Sequence, residues 1–216
     1  HGFGVRHFKL TGGEPTLRRE LLSVVKALRS LPDVDLSMTT NGIQLPRLVE
    51  PLREAGLDRL TISIDSLRSE KYRTITGGGR LDLALRGFEA ASALFGPPKL
   101  NVVVMRGVND DELVDFARFA IDHDSTVRFI EFMPLDAEAH WMNNQVVGQD
   151  EIVEKITAVY PIEVMPARGA APADRFRFLD DGLHGAGSAG SMIGVIPSVT
   201  KPFCGDCDRV RLTAEG

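Results

Sequence analysis

What most constrains this chain is an alternation. Five short, nearly continuous apolar runs, residues 5–10, 35–40, 59–64, 100–105 and 126–132, are separated by stretches with helical periodicity. A strand that returns parallel to its predecessor needs a crossover long enough to hold a helix, so the pattern predicts a parallel α/β sheet. Runs such as Val102–Val103–Val104–Met105 lack a polar alternate, which predicts strands covered on both faces and a sheet internal to the domain.

The intervening helices show in their apolar stripes. Leu17, Leu21, Val24, Val25 and Leu28 share one helical face, with Pro15 suited to the first turn. Leu81, Leu85, Phe88 and Phe95 repeat the pattern, as do Leu113, Val114, Ala117, Ala120 and Ile121 behind Asp110 as the expected cap. Pro51 lies inside the stretch 45–55 and predicts a kink or a late start, since an interior proline costs about 3 kcal/mol. After Phe132 the rhythm changes, placing a boundary near Asp136, with residues 1–136 and 137–216 as the two regions. The second region holds a helical pattern near 150–159 and a glycine-rich stretch, 182–194, that suits turns and close backbone approach.

Composition narrows the function. With 216 residues, 43% of them hydrophobic and a mean hydropathy near zero, the chain is neither disordered nor fibrous. No run approaches the roughly 18 apolar residues of a membrane span, and residues 1–4 carry no leader pattern, so the expectation is a cytoplasmic protein. The 25 basic and 30 acidic residues give a net charge of −5, which disfavours nucleic acid and requires any anion to be held by a local basic pocket. The two cysteines, Cys204 and Cys207, are too few for a disulfide scaffold and read as metal or redox ligands.

In parallel α/β folds the chemistry collects at the carboxyl ends of strands, where loops vary without breaking the core. Thr11–Gly12–Gly13–Glu14–Pro15 combines glycines that admit a ligand to the backbone with a carboxylate able to pair with an ammonium group. A plain strand-to-helix turn accounts for those residues equally well. Thr39–Thr40–Asn41–Gly42 fits ordinary turn chemistry better than ligand binding, and Ser63 and Asp65 suit capping as well as contact. Lys99, at the start of a strand, reads first as a solvated lysine, and Met133 as core filling. His7, His123, His140 and His184 show no zinc spacing. The most informative stretch is residues 203–212: two thiols in C-x-x-C spacing, then Arg209 and Arg211, which fall on one side of an extended chain and suit phosphate. A zinc half-site and a thioredoxin-like redox pair are the alternatives, and neither finds its remaining features.

The strings TGGEPTLR (11–18), TTNG (39–42), SIDS (63–66), KLNVVVMRGVND (99–110), RFIEFMPL (128–135), GSMIGVIP (190–197) and FCGDCDRVRLTAEG (203–216) together resemble the GTP 3′,8-cyclase family of the radical S-adenosylmethionine superfamily, along essentially the whole chain. The resemblance implies a partial TIM-type (β/α) barrel over residues 1–136, with a C-terminal α+β extension over 137–216. It also implies two [4Fe–4S] clusters, one of which cleaves S-adenosylmethionine to a 5′-deoxyadenosyl radical. That radical takes the 3′ hydrogen of GTP so that C3′ attacks C8, giving 3′,8-cyclo-7,8-dihydro-GTP for molybdenum cofactor biosynthesis. Carried over by motif, Gly13, Ser63 and Met133 contact S-adenosylmethionine; Lys9, Thr40, Lys99, Arg209, Val210 and Arg211 contact GTP; Arg209 and Arg211 serve catalysis; Cys204 and Cys207 hold the second cluster. The partners so implied are GTP, S-adenosylmethionine, an electron donor and the next pathway enzyme, with no nucleic acid and no membrane, and a homodimer is allowed. The rival readings are another radical enzyme with a cysteine-bearing extension, or a non-catalytic zinc-binding module.

The sequence departs from the family pattern in lacking the C-x-x-x-C-x-x-C loop of the radical-generating cluster, the first strand, and a third cysteine after Gly216, while Lys9 stands where an arginine is more usual. The 216-residue chain alone is therefore expected neither to hold that cluster nor to cleave S-adenosylmethionine; release of 5′-deoxyadenosine by the isolated chain, measured by chromatography, contradicts this.

Overall fold

The computed structural model describes residues 4–133, 143–167, 169, 171–179, 191–202, 205 and 207–213. The first region alternates β1 (His7–Leu10), α1 (Leu21–Arg29), β2 (Asp35–Thr40), α2 (Leu45–Glu54), β3 (Arg59–Ser63), α3 (Ser69–Ile75), α4 (Leu81–Phe95), β4 (Lys99–Val104), α5 (Leu113–Asp122) and β5 (Thr126–Glu131). The second contributes α6 (Gln149–Thr157), β6 (Ile162–Val164), β7 (Asp174–Phe178) and β8 (Met192–Ile196). All the strands join one sheet in the order β1-β2-β3-β4-β5-β8-β7-β6. Pairing is parallel from β1 through β5 to β8, then antiparallel to β7 and β6. Five parallel strands in chain order, β1 to β5, joined by helical crossovers, with β8 added parallel to β5, make a partial (β/α) barrel, and the β6–β7 hairpin extends it as an α+β appendage. The expected boundary at Asp136 lies outside the described residues.

Several local expectations shift for identifiable reasons. The first helix starts at Leu21, because Pro15–Leu17 forms a separate 3-10 turn that leaves Leu17 73% exposed. α2 begins at Leu45 with Pro51 inside it and no late start. Asp110 does not cap α5; its carboxylate accepts the Gly107 N–H at 2.7 Å and closes the preceding turn. α4 crosses the turn after β2 so closely that a Cβ on Gly87 would lie 2.0 Å from the Gly42 carbonyl oxygen, and only glycine fits that approach.

The apolar runs are covered on one face, not two. In β2, β4 and β5 burial alternates strictly, with Leu36, Met38, Leu100, Val102, Val127 and Phe129 packed under the helices while their neighbours are half-buried. The opposite face carries Ser37, Thr39, Asn101 and Arg128, whose polar ends keep it open. The strands are also staggered. Arg59 opens β3 level with Ser37, and Lys99 opens β4 level with Thr61, so the first residue of a strand reaches the middle of its neighbour.

One buried carboxylate joins the appendage to the barrel. Glu131, fully buried at the end of β5, accepts the Gln149 N–H (3.0 Å) and the Thr200 hydroxyl (2.5 Å) on one oxygen, and the Val199 and Thr200 N–H groups (both 2.8 Å) on the other. It therefore fixes both the start of α6 and the exit of the chain from β8 toward Cys207. Glu131→Gln turns an amide donor toward donors and is expected to lower stability by about 2–3 kcal/mol, read as a shift of the urea midpoint; an unchanged midpoint contradicts the role.

Candidate functional site

The stagger gathers cations on the open face. Lys9 pairs in register with Ser37, Ser37 with Arg59, Thr39 with Thr61, and Thr61 with Lys99; one step on, Ser63 pairs with Asn101, Asn101 with Arg128, and Arg128 with Gly194. Registered partners in a parallel sheet point to the same side, so these residues form a single polar surface. A cavity of about 290 Å³ lies there, lined by Lys9, Arg59, Thr61, Lys99 and Arg128 and by the 96–98 loop that enters β4. The cations thus sit below the carboxyl-end rim, toward the amino ends of the strands, with Lys99 opening β4 as expected.

Each cation is held differently. Arg59 donates to Asp35 at 2.6 Å, and Asp35 also meets His7 Nδ1 at 2.8 Å. Those hydrogen bonds outweigh burial and hold the Asp35 carboxyl below its usual range. Arg128 donates Nε to Asn101 Oδ1 (2.9 Å) and reaches Thr61 Oγ1 (3.4 Å). Its aliphatic stem lies over Gly194, where an added Cβ would stand 3.3 Å from Arg128 Cγ. Lys9 makes no ion pair among the described residues. Its enclosure in the cavity, then the charges of Arg128, Lys99, Arg209 and Arg59, lower its ammonium from 10.5 to about 8. The Arg209 charge therefore acts on the same cavity as Lys9 and Lys99, although some 200 residues of chain separate Lys9 from Arg209.

The carboxyl-end turns are largely committed to holding one another. Glu14 Oε1 accepts the Thr16 N–H (3.0 Å), the Thr16 hydroxyl (2.5 Å) and the Thr40 hydroxyl (2.7 Å), and Oε2 accepts the Asn41 N–H (2.7 Å). Asp65 accepts the Val103 N–H at 2.8 Å, and its burial pushes the carboxyl upward. Asn109 ties the Asp65 and Val103 carbonyls together, and the buried Glu112 takes the Ser66 hydroxyl and the Leu67 N–H. These bonds fix the rim that carries Gly13 after β1, Ser63 at the end of β3 and Met133 after β5. Gly13 has φ +42°, so the backbone there is open and bears no side chain.

Thr40 differs from its expected place. It is 2% exposed, shares the helix-covered face with Leu36 and Met38, and spends its hydroxyl on Glu14. The hydroxyl on the cation face belongs to Thr39, whose buried Oγ1 has no hydrogen-bond partner among the described residues. Thr39, Arg59 and Arg128 were missed from sequence, although residue parity within the strands contained the signal: each alternates with core positions.

At the C-terminal end, Cys207 is exposed, and Arg209 donates Nε to its sulfur at 3.3 Å. The Arg209 N–H and guanidinium bonds draw the Cys207 thiol below its usual value, toward the thiolate. Val210 is 89% exposed and Arg211 is exposed, while Cys204 lies outside the described residues. No group of three or more metal-ligating side chains occurs among the described residues. His7 is occupied by Asp35 and His123 stacks on Phe119; His140 and His184 lie outside the description.

A partial barrel with a polar, cation-lined face and a glycine-bearing rim places the chain among the α/β proteins. Residues 1–120 match the Radical SAM superfamily, and this chain belongs to it; residues 125–216 match the family described as Molybdenum Cofactor Synthesis C. The chain is 44% identical over 216 residues to the GTP 3′,8-cyclase of Geobacter sulfurreducens, covering 99% of this chain and 64% of that protein. It is 43% identical over 219 residues to the protein of that name in Paenarthrobacter nicotinovorans, covering 99% and 62%. The chain thus spans about three-fifths of the length of the curated relatives it matches. Among solved structures, a domain of the pyruvate-formate lyase-activating enzyme from Bacteroides vulgatus superposes with TM-score 0.57 at 16% identity, covering 71% of this chain and 92% of the other. Coproporphyrinogen III oxidase from Escherichia coli does so with TM-score 0.50 at 14% identity, covering 71% and 39%. These two establish the fold alone.

Gly194→Ala is expected to lift Arg128 from its seat with the fold intact. In anion titrations read by intrinsic fluorescence or calorimetry, triphosphate affinity should fall about fivefold; unchanged affinity contradicts the seat.

Proposed function

We propose that this chain is the substrate-binding barrel and extension of a GTP 3′,8-cyclase, and that its cation face holds the triphosphate of GTP. The observation that carries the reading is the convergence of Lys9, Arg59, Lys99 and Arg128 on one cavity in a protein of net charge −5. Like charges so close are costly unless an anion completes the site, and a triphosphate meets planar guanidiniums and ammonium groups with several oxygens at once.

In this reading Lys9, Lys99, Arg128, Arg209 and Arg211 bind phosphate and ribose oxygens. The Thr39 hydroxyl makes the contact expected of Thr40, and Thr40 orients the Glu14 turn. Gly13, Ser63 and Met133 on the rim receive S-adenosylmethionine, with the Glu14 carboxylate in reach of its ammonium group. Cys204 and Cys207 hold an iron–sulfur cluster; the exposed, thiolate-leaning Cys207 with its two donors from Arg209 suits that ligand role. The family's other cluster, with S-adenosylmethionine, would supply the radical, and the residues of this chain would hold the nucleotide at a fixed distance from the rim and exclude water. The same reading requires an electron donor and a following enzyme that takes the cyclised nucleotide.

GTP binding by calorimetry tests this. Arg128→Ala and Lys99→Ala should each weaken binding about tenfold or more, and binding should fall steeply with salt. Because Lys9 titrates near 8, GTP binding should be full below that pH and decline above it. Without nucleotide the sign reverses: between about 8 and 10.5 the unfolded chain holds the proton that folded Lys9 has lost, so stability should rise with pH there. Absence of GTP binding, or binding by both variants as tight as by the unaltered chain, overturns the reading.

A further inference from the structure

The cation face holds an amine as well as a set of charges. Lys9 on β1 and Arg128 on β5 both line the cavity of about 290 Å³, although β2, β3 and β4 lie between them in the sheet. Among the charges that act on Lys9, that of Arg128 is the strongest, ahead of Lys99, Arg209 and Arg59. The sheet therefore curls until the two side chains face each other across the cavity. Arg59 stands on the near side: it is level with Ser37, which is level with Lys9, so two strand spacings of about 5 Å each separate the backbones. Lys99 enters on β4, and Phe95, Pro97 and Pro98 give the cavity an apolar wall.

We propose that this cavity captures phosphorylated aldehydes, with the Lys9 amine forming an imine at the carbonyl carbon while Arg59, Lys99 and Arg128 hold the phosphate. Three observations converge on that class. The cations select an anion, and planar guanidiniums suit phosphate. The apolar wall and the small volume, near the lower end for ligand cavities, suit a compact ring or short carbon chain. The Lys9 amine is not spent on a neighbour: it has no ion pair among the described residues, and Asp35 on the same face is occupied by His7 and Arg59.

The surroundings of Lys9 also supply the neutral amine that the reaction needs. With its ammonium near 8 instead of 10.5, about one Lys9 in ten is unprotonated at neutral pH, roughly three hundred times the fraction of an ordinary lysine. That amine adds to the carbonyl carbon, the carbinolamine loses its oxygen as water, and a C=N bond replaces C=O. Both amine protons leave in that water, and hydrolysis reverses the step. A plain aldehyde leaves the cations unmet, and a phosphate ester without a carbonyl leaves the amine unused; the phosphorylated aldehyde engages both.

Pyridoxal 5′-phosphate is the probe, with pyridoxal lacking the phosphate and pyridoxine 5′-phosphate lacking the carbonyl. The probe should give a saturable imine absorbance at neutral pH, and after borohydride reduction peptide mass mapping should place the label on Lys9. Pyridoxal should need about tenfold or more higher concentration, and pyridoxine 5′-phosphate should compete without labelling. Lys9→Arg keeps the charge and removes the condensing amine, so its label should be lost, whereas Lys99→Arg should keep the label on Lys9. Labelling spread evenly over the lysines, equal capture of pyridoxal, or absence of the imine overturns the proposal. If Lys9→Arg fails to fold, the mass map of the unaltered chain decides. The cavity is the one assigned to the triphosphate of GTP, but the capture does not rest on that reading. Imine formation without GTP binding upholds the capture and overturns the nucleotide reading, and GTP binding without imine formation does the reverse.

Discussion

Glu131 brings a carboxylate into the interior, where an ionised group persists only if its oxygens are fully hydrogen-bonded. Three backbone N–H groups and one hydroxyl meet that requirement, and all four come from the appendage. The bond to Gln149 sets the start of α6, and those to Val199 and Thr200 set the direction in which the chain leaves β8. The placement of Cys207 and Arg209 follows from that direction. An apolar residue at position 131 would satisfy the packing of β5 but would leave those N–H groups with nothing to hold them.

The cation face shows the opposite economy, with several positive charges gathered on one surface. Arg59 is neutralised by Asp35, and Arg128 is steered by Asn101 and Thr61, but no described carboxylate faces Lys9. A fold selected for stability alone would place an acid there. The lowered ammonium of Lys9 records the cost, and an anion entering the cavity reverses it. The rim above spends its polar groups in a related way: Glu14 ties the turn after β1 to the end of β2, and Asp65, Asn109 and Glu112 tie the end of β3 to the turn after β4. Rigid strand ends position reacting groups better than free loops do.

The strand–helix order, the parallel sheet, the extents of α4 and α5 and the family were all legible in the residues, because hydrophobic periodicity and short motifs are local properties of a chain. The start of α1, the cap of α5 and the role of Thr40 were not. Each depends on a hydrogen bond to a residue that local pattern does not single out: the Glu14 carboxylate for Thr16 and Thr40, the Gly107 N–H for Asp110. The same holds for the sheet covered on one face, since an apolar run reads alike whether helices lie on one side or two, and parity was masked by the valines of β4.

By itself, then, the order of residues determined which segments become strands and helices and which side chains carry charge. Tertiary structure decided which of those charges share a cavity. A stagger of two residues between β2 and β3, and again between β3 and β4, brings Lys99 level with Thr39, and the four bonds of Glu131 join α6 and the chain after β8 to the end of β5. Register and chain direction are set by pairing between distant segments, and no window of neighbouring residues contains that information.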